Sequence, residues 1–392
     1  MDLIEELDLK VIDCDTHVVE HYDLWTSRVS VAKHGDKVPH VERDANGIDW
    51  WMSNGNVLSP AAGLAIAGWK DPPPKFPATL DLVDPRIWQP EGRLKIMDDY
   101  GIHAAVLYPN VGGFGAGRYT NFGDMDLALL LLQAYNDFLT DFASADPKRY
   151  IPVSAVPFWD IDLSIAEITR CKSMGHRGII FSQAPEDFGC PTLSDPHWDR
   201  LWAAAQDLEL SVNFHIGSGA SGILQMLHSS AGVHANFASF PVTHFVGNAR
   251  TVATIIGGGI CHRFPRLKFV SVESGVGWIP FALQGLDWMW KECGVSKEHP
   301  EYDLLPSEYF RRQIYGCFWF EHGDTLRSAI DWIGADNVLY ETDFPHPTSM
   351  SPGPASAALK PRDFINTKLN DLPHDVLRKI LQDNAKQLYQ LS

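Results

Sequence analysis

Long apolar runs are missing from this 392-residue chain. No stretch reaches the roughly 18–20 consecutive apolar residues that a membrane span requires. The richest, "LALLLLQAYNDFL" at 127–139, is broken by polar residues and reads as a buried helix. An excess of positive charge is missing too: 32 Lys and Arg face 49 Asp and Glu, a formal charge of −17. Nucleic acids and anionic membranes are bound by cations that neutralise phosphate, so this balance argues against both as partners. Paired cysteines are absent as well. Cys14, Cys171, Cys190, Cys261, Cys293 and Cys317 are irregularly spaced, with no CxxC pair, as expected of free thiols in a reducing cytosol. The opening "MDLIEELDLK" is acidic where a secretory leader is basic, which also fits a cytoplasmic protein. We see no internal repeat, low-complexity tract or interdomain linker, so residues 1–392 are expected to form one large domain.

What is present is a rhythm. Eight short β-rich runs recur: 9–15, 104–109, 150–157, 177–182, 210–217, 267–274, 313–320 and 337–343. Most are continuously apolar, as strands covered on both faces are. Helical patterns with Asp starts and Gly stops lie between them, at 90–101, 124–145, 160–175, 195–209, 280–293 and 324–334. An amphipathic helix over 373–390 closes the chain. This alternation predicts an α/β fold, a (β/α)8 barrel of the TIM type. An open doubly wound sheet is the alternative, but no dinucleotide-type glycine loop follows any strand. "GFGAG" at 113–117 lacks the spacing of one. Long insertions follow strand one (residues 21–90, rich in Trp and Pro) and strand five (218–245); both read as loops without a pattern of their own.

In a parallel barrel, function gathers where the strands end. "VIDCDTHVVE" at 11–20 ends strand one in Asp15 and His17, two apart and so on one side of the strand. Strand five ends in His215, strand six in Glu273, and strand eight in Asp343 with His346 just beyond. Four strands thus deliver carboxylate or imidazole to one end. Such donors suit a divalent transition metal, Zn, Mn or Fe.

The segments "DCDTHVVE", "FHIGSG", "VESGVGWIP" and "YETDFPH" resemble the amidohydrolase superfamily. The nearer likeness is to its aminocarboxymuconate-semialdehyde-decarboxylase-like branch, and it runs over almost the whole chain. The resemblance implies metal binding by Asp15 (where many members have His), His17, His215 and Asp343. It also implies that Asp343 orders an attacking water. Where the branch often carries a His for acid–base work, this chain has Glu273, which we expect either to replace it as base or to bind a second ion. Glu20, Glu273 and His346 would surround that second ion, so one or two ions per chain are expected.

The leading expectation is hydrolysis or decarboxylation of a small organic acid or amide, with Asp343 and Glu273 shuttling the proton. A dinuclear Fe or Mn oxygenase on the same fold is the alternative, and a non-catalytic partner subunit the third reading. Arg250 is a candidate clamp for a substrate carboxylate, opposed by an ordinary surface ion pair. His244 is expected near the site. Asp13 is expected to support the ligands, and Trp50, Trp51 and Trp69 to pack the insertion. His228 and His234 carry no clear signal. Relatives of this branch commonly associate, so a homo- or hetero-oligomer is expected.

Overall fold

The computed structural model describes residues 2–219, 230 and 232–391. Strand β1 (Ile12–His17) is followed by β2 (His40–Arg43), β3 (Asp49–Ser53) and β4 (Asn56–Pro60). Then come β5 (Ala104–Tyr108), β6 (Tyr150–Ser154), β7 (Gly178–Ile180), β8 (Ser211–His215), β9 (Phe269–Val272), β10 (Ile314–Phe318) and β11 (Val338–Tyr340). β1 and β5–β11 pair in parallel, in chain order. Seven of the eight fall within the runs read from the sequence, β1 reaches two residues beyond its run to His17, and helices separate them, so the architecture is the (β/α)8 barrel. Continuity of apolar character is explained by burial: every residue of β5, β6 and β8 is buried.

The helix Met125–Ala143 shows how the outer ring is specified. Asp124 caps it by accepting from the Leu127 amide at 3.1 Å. Leu127, Leu131, Leu132, Tyr135 and Leu139 then share its buried face, the spacing of a 3.6-residue period. The last helix departs from expectation. Residues 374–388 form one helical course, but Lys379–Asp383 make a wider π turn within it. That turn brings Asn384 Nδ2 to donate to the carbonyls of Ala335 and Val338, at 2.7 and 2.8 Å.

The insertion after β1 is not the patternless loop expected. β2, β3 and β4 form a separate antiparallel sheet. Asn54 and Gly55, both at positive φ, turn β3 into β4, and "NG" between apolar runs is a strong hairpin signal. Trp51 packs edge-on against Trp25 at 5.1 Å, and Trp50 Nε1 donates to Asp44, so these rings serve packing. In the second insertion the described part holds a helix, Val233–Phe245. His228 lies outside the described residues, and His234 bonds Pro73 O at an exposed position.

The barrel closes at its mouth. His17 N donates to Phe344 O at 2.7 Å and Asp343 N to Asp15 O at 2.9 Å, stitching β1 to the segment after β11. Asp13 reinforces the seam: its carboxylate accepts from the Thr342 amide at 2.9 Å and the Thr342 hydroxyl at 2.5 Å. Buried Arg93 donates to His17 O and Ile87 O, both at 2.7 Å, and lies over the Phe344 ring at 4.7 Å. Burial lowers its pKa to about 10. Beside the mouth, Glu321 Oε1 accepts from the Val276 and Gly277 amides, both at 2.7 Å, and so holds the loop after β9.

Two outcomes follow from these anchors. Replacing Arg93 by Met leaves the carbonyls of His17 and Ile87 without their donor and should cost about 2–4 kcal/mol, read by urea denaturation. Burial raises the Glu321 carboxyl from 4.5 to about 7. A carboxyl raised in the folded state contributes stability that is complete below 4.5 and is lost as pH climbs through about 7. The parent chain's melting temperature should therefore fall between pH 5 and pH 8, and Glu321→Gln should flatten that fall.

Candidate metal centre

Asp15 and His17 end β1 beside an irregularity in its pairing with β5, between Asp13 and Thr16. Such a bulge re-aims side chains. His215 is the last residue of β8. Glu273 and Asp343 follow β9 and β11, and both hold left-handed backbone, φ 53° and 56°. Positive φ in a residue other than Gly is uncommon and persists where surroundings impose it, often at functional sites.

These side chains converge. His17 Nε2 lies 3.0 Å from His215 Nε2. Asp15 Oδ1 is 3.3 Å from His17 Nε2, and Asp15 Oδ2 is 3.6 Å from His215 Nε2. Asp343 Oδ1 is 3.6 Å from His17 Nε2, and Glu273 Oε2 is 3.4 Å from His215 Nε2. Ligand atoms lie within 4.8 Å of one another in three overlapping groups: Asp15, His17 and His215; His17, Asp343 and His346; Asp15, Glu273 and Asp343. Six of the seven expected donors therefore come together.

The hydrogen bonds behind the rings decide what the cluster holds. His17 Nδ1 faces Pro109 O at 2.9 Å and His215 Nδ1 faces Ile216 O at 2.8 Å. A carbonyl only accepts, so both rings carry N–H on Nδ1 and leave a lone pair on Nε2. Two lone pairs then point at each other across 3.0 Å, beside two Asp15 oxygens that have no hydrogen-bond partner among the described residues. Electron pairs so arranged in a buried site repel unless a cation lies among them. These residues fit a divalent metal.

Without a metal the cluster binds protons instead. Burial works against the charged form of His215, but Asp15 and Glu273 outweigh it and lift its pKa to about 9. Burial, with His346 adding to it, lowers His17 to about 3. Burial opposes ionisation of Asp15, yet His215 and His17 hold it below the usual carboxylate range. Burial and the charge of Asp343 push Glu273 up, and burial and Asp15 do the same to Asp343.

Glu20 is a correction. Its Oε1 accepts from the amides of Asn110 and Val111, at 2.7 and 2.9 Å, and it belongs to none of the donor groups. Its carboxylate holds the loop after β5 in place. Asn110 in turn bonds His346 Nε2 through Oδ1 at 2.7 Å, which leaves His346 Nδ1 facing Asp343 Oδ1 at 2.9 Å. Arg250 is the second correction: its side chain is 73% exposed and pairs with Glu186 at 2.7 Å on the surface. Trp69 lines a different cavity, beside Lys70 and Phe344.

A cavity of about 470 Å³ opens over the donors. Glu273 and His346 belong to its wall, as does His244. Phe114, Phe188, Phe237 and Phe240 supply aromatic surface, with Phe114 lying over the His215 ring at 4.3 Å. Three polar residues escaped the reading of the sequence. Thr348 Oγ1 donates to Asp343 Oδ2 and contacts Glu273 Oε1 at 3.2 Å, and its place two residues after His346 is the signal for it. Glu341 lies buried with Oε2 accepting from the Glu273 amide at 3.1 Å, two residues before Asp343. Arg118 lines the cavity just after "GFGAG".

Among the described residues no helix is long and apolar enough to cross a membrane. Known proteins resemble the chain throughout. It is 25% identical over 262 residues to a gamma-resorcylate decarboxylase of Polaromonas sp., covering 64% of this chain and 76% of that one. It is 24% identical over 341 residues to a 2-amino-3-carboxymuconate-6-semialdehyde decarboxylase of Dictyostelium discoideum, covering 84% of each. A solved amidohydrolase of Mycobacterium avium subsp. paratuberculosis superposes with a TM-score of 0.74 at 22% identity, over 97% of this chain and 99% of that one. The amidohydrolase family model matches residues 12–391. With the barrel, the strand-end donors and the match over nearly its full length, this chain is a metal-dependent enzyme belonging to the amidohydrolase family.

Proposed function

We propose that the chain decarboxylates a small aromatic acid with the help of one divalent ion held by Asp15, His17, His215 and Asp343. One observation carries this reading: Glu273 belongs both to the donor cluster and to the wall of a cavity faced with aromatic rings. An acid side chain is thereby placed at the boundary between metal and substrate. The decarboxylase names of the two curated relatives support the same reading.

Asp15, His17, His215 and Asp343 would hold a divalent ion, which would supply polarisation of a carboxylate or ring oxygen of the substrate. The chain does the rest. Phe114 and the other rings take the flat apolar body of the acid and exclude water around it. An apolar wall disfavours a charged carboxylate relative to neutral carbon dioxide, so it favours the direction of the reaction. The bond between ring carbon and carboxyl carbon breaks, and its electron pair stays on the ring carbon. A proton from Glu273 Oε2 forms the new C–H bond, and carbon dioxide leaves. Thr348 Oγ1 lies 3.2 Å from Oε1 of the same carboxyl, and water in the cavity restores the proton. Hydrolysis would use the same donors but needs a water delivered to an acyl carbon.

The donor groups share Asp15, His17 and Asp343 rather than forming two separate sets, and Glu20 lies outside them. We therefore read one ion per chain, with Glu20, which the dinuclear reading would use as a ligand, held by backbone amides instead.

Elemental mass spectrometry of protein grown with added manganese, zinc and iron should give about one ion per chain. Glu273→Ala should keep it, while His17→Ala and His215→Ala should lose it. Two ions falling to one in Glu273→Ala would restore the dinuclear reading. Incubation of the manganese-loaded protein with a set of hydroxybenzoates should release carbon dioxide and, in heavy water, leave one deuterium at the vacated carbon. Glu273→Gln should slow this by about 100-fold or more. Consumption of amides or lactones with no carbon dioxide from any acid would turn the assignment to hydrolysis.

A further inference from the structure

Glu273 is held at both ends. Its Oε1 lies 3.2 Å from Thr348 Oγ1, and its backbone amide donates to Glu341 Oε2 at 3.1 Å. The second contact answers a need of the backbone. β9 ends at Val272, so the Glu273 amide bonds a side chain where a strand residue would bond a neighbouring strand. Glu273 stands at φ 53°, a left-handed conformation that is strained for any residue but Gly. A buried N–H left without an acceptor would add a further cost. The Glu341 carboxyl supplies the acceptor that this turn requires.

The rest of the turn hangs in the same way. Glu321 Oε1 accepts from the Val276 and Gly277 amides, and a Cβ on Gly275 would come within 2.9 Å of it. Residues 273–277 are thus suspended from two buried carboxyl groups, Glu341 at the start and Glu321 at the end. Glu341 itself is fixed by the barrel: it is fully buried, and its amide donates to Phe318 O at 3.0 Å, continuing the course of β11. Thr342 bonds Asp13, and Asp343 follows in the donor cluster. One strand end therefore presents Asp343 to the metal donors and, two residues earlier, holds the backbone of Glu273. Glu341 belongs neither to the donor groups nor to the cavity wall, so whatever it does for the reaction it does through Glu273.

We infer that Glu341 is a positioning residue: it holds Glu273 in the left-handed turn that aims its carboxyl between the donors and the substrate. This rests on the decarboxylation reading of the same site.

Two substitutions test it. Glu341→Gln keeps an oxygen acceptor at the same reach, and Glu341→Met removes it at similar volume. Each is made alone and together with Glu273→Gln. Metal content is measured by elemental mass spectrometry, and kcat and KM from carbon dioxide release by the manganese-loaded enzyme on hydroxybenzoates. Crystal structures of the two single variants are solved alongside. Glu341→Met should keep its metal, hold KM within about threefold and lose about 30-fold or more in kcat. Glu341→Gln should restore most of that loss. Added to Glu273→Gln, Glu341→Met should cost less than about threefold more, because a residue acting through Glu273 then has nothing left to act on. In the Glu341→Met crystal structure Glu273 should leave the left-handed region, and in Glu341→Gln it should stay. An unchanged kcat in Glu341→Met, or the same loss with and without Glu273→Gln, overturns the inference. So does a Glu341→Gln variant that loses kcat while Glu273 keeps its place, which decides the matter even where the Met variant does not fold. Should the parent enzyme release carbon dioxide from no acid, the decarboxylation reading fails by itself. The structures then decide: Glu273 displaced in Glu341→Met supports its positioning by Glu341, and Glu273 unmoved overturns it.

Discussion

Two imidazole lone pairs facing each other across 3.0 Å are the constraint on which the rest of this structure turns. Each is fixed by a backbone carbonyl on the far side of its ring, so neither His17 nor His215 can turn away without abandoning a hydrogen bond. The oxygens of Asp15 add negative charge to the same point. Such a cluster is stable only around positive charge, and the protein pays for its assembly in advance. The left-handed backbone at Glu273 and Asp343, and the burial of Asp13, Arg93 and Glu341, are all placed around it. Preorganisation of this kind lets a metal bind without first rearranging its ligands.

The surrounding residues divide the work by distance from that point. Asp13 and Arg93 tie the first strand to the segment after the last one and do not reach the cavity. Asn110 and Thr348 orient His346, Asp343 and Glu273. Phe114 covers His215 and begins the aromatic wall. Chemistry, orientation and exclusion of water are thus carried by different side chains. For that reason, changes in the cavity wall can alter the substrate accepted while the donors stay as they are.

Much of this was legible in the sequence because barrel geometry converts order along the chain into position. Once eight apolar runs are read as parallel strands, their last polar residues must lie together, and Asp15, His17, His215, Glu273 and Asp343 do. Two kinds of information were not legible. Glu20 has the right type and spacing for a ligand, but whether a carboxylate meets a metal or a backbone amide depends on the loop after β5. Arg250 and Arg118 look alike in sequence, and only the fold puts the second in the cavity wall and the first on the surface. The antiparallel sheet at 40–60 was written in the sequence, in "NG" flanked by apolar residues, and was lost to the abundance of Trp and Pro around it.

The seam between the first strand and the segment after the last joins Asp13 to Thr342, 329 positions apart. During synthesis Asp15 and His17 are made long before Asp343 can join them. A chain that stops short of Asp343 lacks part of the donor cluster. A donor set gathered from strands so far apart along the chain exists only once the barrel has shut, so on the metal reading ion binding and barrel closure are coupled.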